Sequence, residues 1–506
     1  MRWRARRIWR WWQALKHFNL EQLRLTLEAA LRVRRSAPRP ELSLSANLAL
    51  PVVRFAWSQL AGAVRENTAV SLSPLARRAL RQSLLVRLST LANGVAEWEW
   101  QAFRTTPGLF FSRHAAGPPK AEFFSGTVEE QTRHLLGDYP ELARLWRLQV
   151  RTWLGFIGKF LQETAQFAAL RGDGNPRVQS LRFHQSDPHP GGGSTIEVVF
   201  ADGARWFYKP RSGRWESEWF ALLERINEFG FQLPFATPPV VLEADHCWMG
   251  SISWRPCRNS REARRFYLRA GALLYLLHQL RGVDFHAGNL IAHGEQPVFI
   301  DCETLLHGAS PMPARARARE RSVFRTGMLA IPLIDRTGHD VSALTGEIPA
   351  LHRPKLRGHL LRASDFAAEV TTGFALMHAF LQVPRRWDAV FCEARLRQDQ
   401  ARTRAINRPT AHYRALLERS LSAQCLRNSV LRRSYLTEAC RRNGGFGQVI
   451  ADEVDAMMDG YVPLLWARAG RVRPPPSERA FRGALALIAK ALASAGAGTS
   501  ATASAL

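Results

Sequence analysis

The 506-residue sequence is poor in lysine, in closely spaced cysteine and in long apolar runs. Lys and Arg together number 70, yet lysine stands only at 16, 120, 159, 209, 355 and 490. No apolar run approaches the roughly 18 residues that a membrane-spanning helix needs. Cys247, Cys257, Cys302, Cys392, Cys425 and Cys440 form no CxxC pair and no Cys/His cluster with zinc spacing, so no zinc is expected. They read as thiols of a reducing compartment, which points to the cytoplasm. The start, MRWRARRIWRWWQALKHF, is charged but lacks the apolar core of a signal peptide. Its Arg and Trp residues suit an interfacial helix touching a membrane, but a poorly ordered basic start is the simpler reading. There is no internal repeat.

What the chain does have is apolar bulk and positive charge. Hydrophobic residues make up 46% and the formal charge is +27. The length exceeds one ordinary domain, so two or three units are expected. Such a charge suits nucleic acid, an acidic peptide, a phosphate-bearing substrate or a membrane surface. The arginines are scattered along the whole chain and no nucleic-acid recognition motif accompanies them, so no specific nucleic acid is expected.

The pattern along the chain changes twice. Residues 20–105 and about 127–170 show helical apolar spacing, with TPGLFFSRHAAGPPK (106–120) as a linker. From about 172, turn formers and TIEVVFADGARWFYKP predict two strands joined at Ala-Asp-Gly. WESEWFALLERINEFG predicts a short helix ended by Gly230, PPVVLEADHCWMG a strand region, and REARRFYLRAGALLYLLHQLRG a buried helix. Helices dominate again after 365. The Ala/Gly/Ser/Thr-rich end reads as a disordered tail.

The chemistry gathers at 283–303, VDFHAGNLIAHGEQPVFIDCE. Asp284 and Asn289 have the spacing of a catalytic-loop base and its metal-binding Asn, and Asp301 follows the short run VFI where a second metal-binding acid would sit. Upstream, Lys209 in ARWFYKP suits the phosphate-pairing lysine. PHPGGGS, with Gly191 and Gly192, gives a turn that phosphate can approach. Glu216 or Glu218 could pair with the lysine. ATP needs Mg²⁺, a cation and backbone N–H donors, and carboxylate and amide oxygens suit Mg²⁺. Each element alone is common; their order raises a phosphotransferase site to serious consideration. His286, inside the loop, is read as an active-site residue rather than a core histidine.

These residues bring out a resemblance. SDPHPGGGS is similar to S-D-x-H-N-G-G-R-S, WFYKPRS to Y-K-P-R-S, SVFRTGMLAIP to S-V-L-R-T-G-L-L-P, DVSAL to D-x-S-A-L and RAINRPTAHY to R-x-I-x-R-P-T-x-x-Y. The block around VDFHAGNLIAHGEQPVFIDCETLLH follows the same pattern closely. Over roughly residues 50–465 the chain resembles the dehydratase part of class II lanthipeptide synthetases, the LanM type.

The resemblance implies an α+β fold, with a kinase-like (lipid-kinase-like) two-lobed core and large helical additions at both ends. Its expected segments are a basic, partly ordered N-terminal segment (1–45), a helical region (46–170), a β-rich N-lobe (171–255), a C-lobe with the catalytic loop (256–365), a helical C-terminal region with elimination residues (366–468) and a mostly disordered tail (469–506). It implies phosphorylation of Ser and Thr in a leader-bearing precursor peptide, then phosphate elimination to dehydroalanine and dehydrobutyrine. ATP and Mg²⁺ are the implied cofactors. Carried over by motif, Lys209, Glu216, Gly191 and Gly192 would serve the nucleotide. Asn289, Asp301 and Glu303 would hold nucleotide and Mg²⁺, and Asp284, His286 and His189 would serve phosphorylation. Asp187, Arg404 and Thr410 would serve elimination, with Arg408 and Arg325 in support.

Departures from the pattern are Gly288 and Gly250, each where the family has Glu, Pro190 for Asn and Gly193 for Arg. The chain has no Cys-His-Gly motif, so ring closure is expected to fall to a separate cyclase, and a stand-alone, split or truncated synthetase all fit. Two other classes compete with the active dehydratase: a decayed kinase-like protein that only binds leader peptide, and a kinase that stops at the phosphopeptide.

Overall fold

The computed structural model describes residues 20–33, 35–66, 70–105, 123, 127–173, 176–308, 322–330, 341–346, 353–391, 401–442 and 447–503. The linker 106–120, the basic start through residue 19 and Cys392 lie outside them. The fold is mixed α+β, as expected. Two compact units divide the chain, Met1–Pro210 with His412–Leu464, and Arg211–Ala411 with Leu465–Leu506.

The first unit opens with α1 (Leu20–Val33) and α2 (Leu44–Glu66), a two-residue strand β1 (Ser71–Leu72), α3 (Pro74–Thr105), α4 (Val128–Asp138) and α5 (Pro140–Leu170). Thr127 and Glu130 close a capping box on α4, and Pro140 sits in the first turn of α5, where its missing N–H costs nothing. Helix α5 buries Trp146, Ile157 and Phe160 completely. Three antiparallel strands follow, β2 (Arg177–Arg182), β3 (Ile196–Phe200) and β4 (Arg205–Lys209), with β1 parallel to β2. The β3–β4 turn is the expected Ala-Asp-Gly: Asp202 Oδ1 accepts from the Ala204 N–H at 2.9 Å, and Gly203 takes φ +81°. The turn leaves Lys209 buried at the end of β4.

The second unit begins with α6 (Arg214–Glu228), the antiparallel pair β5 (Val240–Leu242) and β6 (Cys247–Gly250), and α7 (Ser260–Gln279). Gly230 stops α6 with φ +79°. Helix α7 is the buried centre of this unit, with Leu274, Tyr275, Leu276 and Leu277 fully enclosed. After the loop come β7 (Leu290–His293), β8 (Gln296–Phe299), the short pair β9 (Lys355–Leu356) and β10 (His359–Leu360), α8 (Ala367–Leu381), α9 (Arg386–Phe391) and β11 (Arg402–Ala405). Helices α7 and α8 approach closely through two glycines: a Cβ at Gly271 would overlap Val370 O, and one at Gly373 would overlap Leu268 O.

The chain then runs through α10 (Thr410–Arg419), α11 (Ala423–Arg427), α12 (Ser429–Arg442) and α13 (Gly447–Met458). Arg432 on α12 is wholly buried; it donates to Met457 O at 2.8 Å and Met458 O at 2.7 Å, satisfying the last carbonyls of α13, and its charge meets Glu141 at 2.8 Å.

Last come β12 (Leu465–Arg468), antiparallel to β11, and α14 (Glu478–Ala503). This corrects the expectation of a mostly disordered tail from 469. Ala484, Ile488 and Leu492 recur every fourth residue and are buried in the core of the second unit, and Phe481 stacks on His378 at 3.9 Å between ring centroids. Alanine-rich composition, read as low complexity, is also the best helix-forming composition.

Candidate active site

In the second unit, the β7–β8 hairpin explains why 284–289 and 301–303 meet. Leu290 pairs with Phe299, and the Ile300 N–H donates to Asn289 O at 3.0 Å. Asn289 therefore lies across from the residue before Asp301. A turn centred on Gly294 (φ +60°) closes the hairpin. Thr304 Oγ1 donates to Val283 O, joining the two flanks of the hairpin again.

Within the loop, Asp284 takes φ +65°, in the left-handed region that a non-glycine residue adopts only when its surroundings hold it there. Asn289 Nδ2 donates to Asp284 O at 2.9 Å, which turns the Asn289 amide oxygen the other way. His286 caps the 3₁₀ turn Ala287–Asn289, and its Nδ1 accepts from the Gly288 N–H at 3.0 Å. A neutral His286 so bonded carries its proton on Nε2, 3.8 Å from Asp284 Oδ1. Burial pushes the Asp284 carboxyl above its ordinary value, more strongly than His286 and Arg404 pull it down. A raised carboxyl is a better proton acceptor.

The acids beyond β8 are met by two arginines. Arg211 Nη2 lies 2.6 Å from Glu216 Oε1 and 2.8 Å from Asp301 Oδ1, and Nη1 donates to Glu216 Oε2 at 3.2 Å. Arg211 Nε is 2.9 Å from Glu303 Oε2, an ion-pair contact without hydrogen-bond geometry. Arg404 Nη1 donates to Glu303 Oε1. Burial alone would lower the Arg211 guanidinium, but Glu216, Glu303 and Asp301 outweigh it and hold it well above the usual arginine value. Burial would raise Glu303; Arg211 and Arg404 reverse that and hold it below the usual carboxylate range.

In donor type this set suits a hard divalent cation, though among the described residues no three of these carboxylates converge as a closed ligand cluster. Asp284, Asp301, Glu303 and Glu216 against Arg211 and Arg404 leave two formal negative charges. The donors are carboxylate oxygens and the Asn289 amide oxygen, the ligands Mg²⁺ prefers, and buried Glu303 Oε2 lacks a directed donor. Glu303 also stands between two guanidinium groups, Arg211 and Arg404, and helps hold both.

In the first unit, the glycine turn is a tight structure of its own. The Gly192 N–H donates to His189 O at 3.0 Å, and Gly191 and Gly192 take φ +90° and +80°. Arg87 of α3 donates to Gly192 O at 3.1 Å while lying 4.7 Å over the Tyr461 ring. His189 Nδ1 contacts Val462 O at 3.2 Å. Asp187 is paired with Arg414, 2.6 Å from its Nη2. Thr410 is half-buried at the first position of α10, behind Pro409.

The structure thus brings together Asp284, His286, Asn289, Asp301, Glu303, Glu216 and Arg404 within the second unit, and Asp187, His189, Gly191 and Gly192 within the first. Arg211 was not singled out from the sequence, although it stands two residues after Lys209 in Y-K-P-R-S. Arg408, also buried, and Arg325 lie in the second unit.

A family model described as "Domain of unknown function (DUF4135)" matches residues 139–351 and 347–468. The chain belongs to the DUF4135 family. A curated protein, the Lacticin 481/lactococcin biosynthesis protein LcnDR2 of Lactococcus lactis subsp. lactis, is 33% identical over 110 residues. That match covers 20% of this chain and 12% of the relative's length. Both findings bear out the resemblance to LanM-type proteins.

Set against that pattern, three glycine departures of this DUF4135 chain are each crowded by a neighbour. A Cβ at Gly250 would come within 2.7 Å of the Pro239 ring, one at Gly193 within 2.8 Å of the Pro210 ring, and one at Gly288 within 2.9 Å of His286 Cε1. The missing side chains are matched by local packing, so restoring one alone would displace its neighbour.

Proposed function

We propose that this chain is a lanthipeptide dehydratase with a kinase-like core, which phosphorylates Ser and Thr of a precursor peptide with ATP and then eliminates phosphate. The observation that carries the reading is the hairpin that sets the Asp284–His286–Asn289 loop against Asp301 and Glu303, with two arginines between the acids. Asp284 accepts the proton of the substrate hydroxyl as its oxygen attacks the γ-phosphorus and ADP leaves. Asn289 and Asp301 would hold Mg²⁺, which supplies charge neutralisation to the phosphates. Lys209, buried at the end of β4, is assigned to the nucleotide phosphates, and the His189–Gly192 turn to their backbone contacts.

In the second half, a base removes the Cα proton, the Cβ–O bond breaks, a Cα=Cβ double bond forms and phosphate departs. Arg404 is assigned to that phosphate, since a guanidinium is the best bidentate phosphate partner. Asp187 and Thr410 are assigned to the same half by their motifs. The modified peptide would pass to a cyclase. The assay is intact mass spectrometry of a precursor peptide encoded nearby, incubated with the protein, ATP and Mg²⁺. Loss of one water per modified residue is expected. Lys209→Ala and Asp301→Asn should give unmodified peptide, and Arg404→Ala should accumulate phosphopeptide. Normal dehydration by all three variants would refute the assignment.

A further inference from the structure

Strand β11 carries Arg404, and the loop after Asp301 holds that strand at alternate residues. The Arg404 N–H donates to Glu303 O at 2.9 Å. Thr403, wholly buried, places its hydroxyl 2.9 Å from Glu303 O and 2.7 Å from Leu305 O, one proton shared between two carbonyls. The Ile406 N–H donates to His307 Nε2 at 3.2 Å. His307 Nδ1 lies 2.8 Å from both Gly308 O and Arg325 Nη2, so in the neutral ring it either donates to the carbonyl or accepts from the guanidinium, and only the first choice lets Nε2 accept from Ile406. Arg325 Nη2 also donates to Gly308 O at 3.3 Å. Residues 403, 404 and 406 are thus pinned to 303, 305 and 307, and Glu303 grips Arg404 by both its backbone and its guanidinium.

We propose that Thr403 and His307 are positioning residues for Arg404, acting on the elimination half and not on phosphoryl transfer. This rests on the dehydratase reading given above. Neither side chain touches a carboxylate of the phosphorylation site, since Thr403 meets Glu303 only at its backbone carbonyl; both fix the backbone that carries Arg404. A cation held in place beforehand needs no ordering as phosphate leaves, and a displacement of about 1 Å can cost about a hundredfold in rate.

Two measurements test it. In the peptide assay, His307→Ala and Thr403→Val should slow conversion of phosphopeptide to dehydrated peptide at least about tenfold relative to phosphorylation. His307→Gln, whose amide oxygen can accept from Ile406, and Thr403→Ser should recover most of that loss. Equal losses in both halves, or none, would overturn the proposal. The second measurement, hydrogen exchange over residues 402–408, does not depend on the reaction. Protection should fall in His307→Ala and return in His307→Gln, and unchanged protection in His307→Ala would overturn the positioning role. A wild-type protein that modifies no peptide would sink the dehydratase reading, while the exchange result would still decide whether His307 holds the strand.

Discussion

Removing Arg211 is the most demanding test of the charge network. Its side chain is 16% exposed, Glu303 is 5% exposed and Glu216 is completely enclosed. Arg211→Ala deprives all three carboxylates of this guanidinium at once. Glu303 retains Arg404, and Glu216 is the more deeply enclosed of the two. Breaking a buried pair from one side costs about 3–5 kcal/mol, because the remaining charge stays desolvated. For a unit of this size each kcal/mol lowers the melting temperature by about 2–4 °C, giving a fall of about 6–20 °C. Differential scanning calorimetry of wild type, Arg211→Ala, Glu216→Gln and the double variant separates the pair from its surroundings. The double variant should be more stable than Arg211→Ala by at least about 1 kcal/mol, since neutral glutamine tolerates burial better than a carboxylate that has lost the Arg211 guanidinium. Arg211→Lys should fall between, because one ammonium cannot span three carboxylates as a planar fork does. An Arg211→Ala protein melting within about 2 °C of wild type, or additive losses in the double variant, would refute the network as a source of stability.

Other outcomes follow from single features. Ile488→Ala should cost about 2–5 kcal/mol in urea unfolding, since Ile488 is fully enclosed; no change would mean that α14 does not belong to the core. Gly271→Ala should destabilise by at least about 1–3 kcal/mol through its overlap with Val370 O, and a neutral result would show that α7 and α8 can separate cheaply. His278 is pushed down to about 3 by burial and by Arg473. An unfolded histidine titrates near 6.5, so between these values the unfolded state binds more protons and stability falls as pH drops. At pH 4.5 that contribution is about 2.7 kcal/mol, and His278→Gln should flatten the acid side of the stability profile. Chelation of divalent cations should abolish peptide phosphorylation and added Mg²⁺ should restore it, read by the same mass spectrometry.

The parts of the site that showed in the sequence are those where rarity or local spacing carries information. Lys209 stands out because lysine occurs at only six positions in the chain. Asp284, Asn289 and Asp301 stand out because a loop, a hairpin and a strand end lie within 18 residues, and short-range pairing rules relate them. The Ala-Asp-Gly turn and the buried helix α7 were legible for the same reason. Arg211 was not, because it is one arginine in a sequence crowded with them, and its value depends on acids up to 92 positions away. Glu303 drew notice only through the motif resemblance, which implies a metal-side acid there. Its other task was hidden, because Arg404 lies 101 residues further on and reaches it only once β11 docks on the loop. The C-terminal helix was misread because composition was weighed over period: the spacing of Ala484, Ile488 and Leu492 marks a buried stripe amid residues that suit a tail. Where charge is abundant, then, identity says little about role. The arginines that matter are those whose neighbours cannot be left alone in the interior, and Arg211, Arg404 and Arg432 meet that condition through Glu216, Glu303 and Glu141.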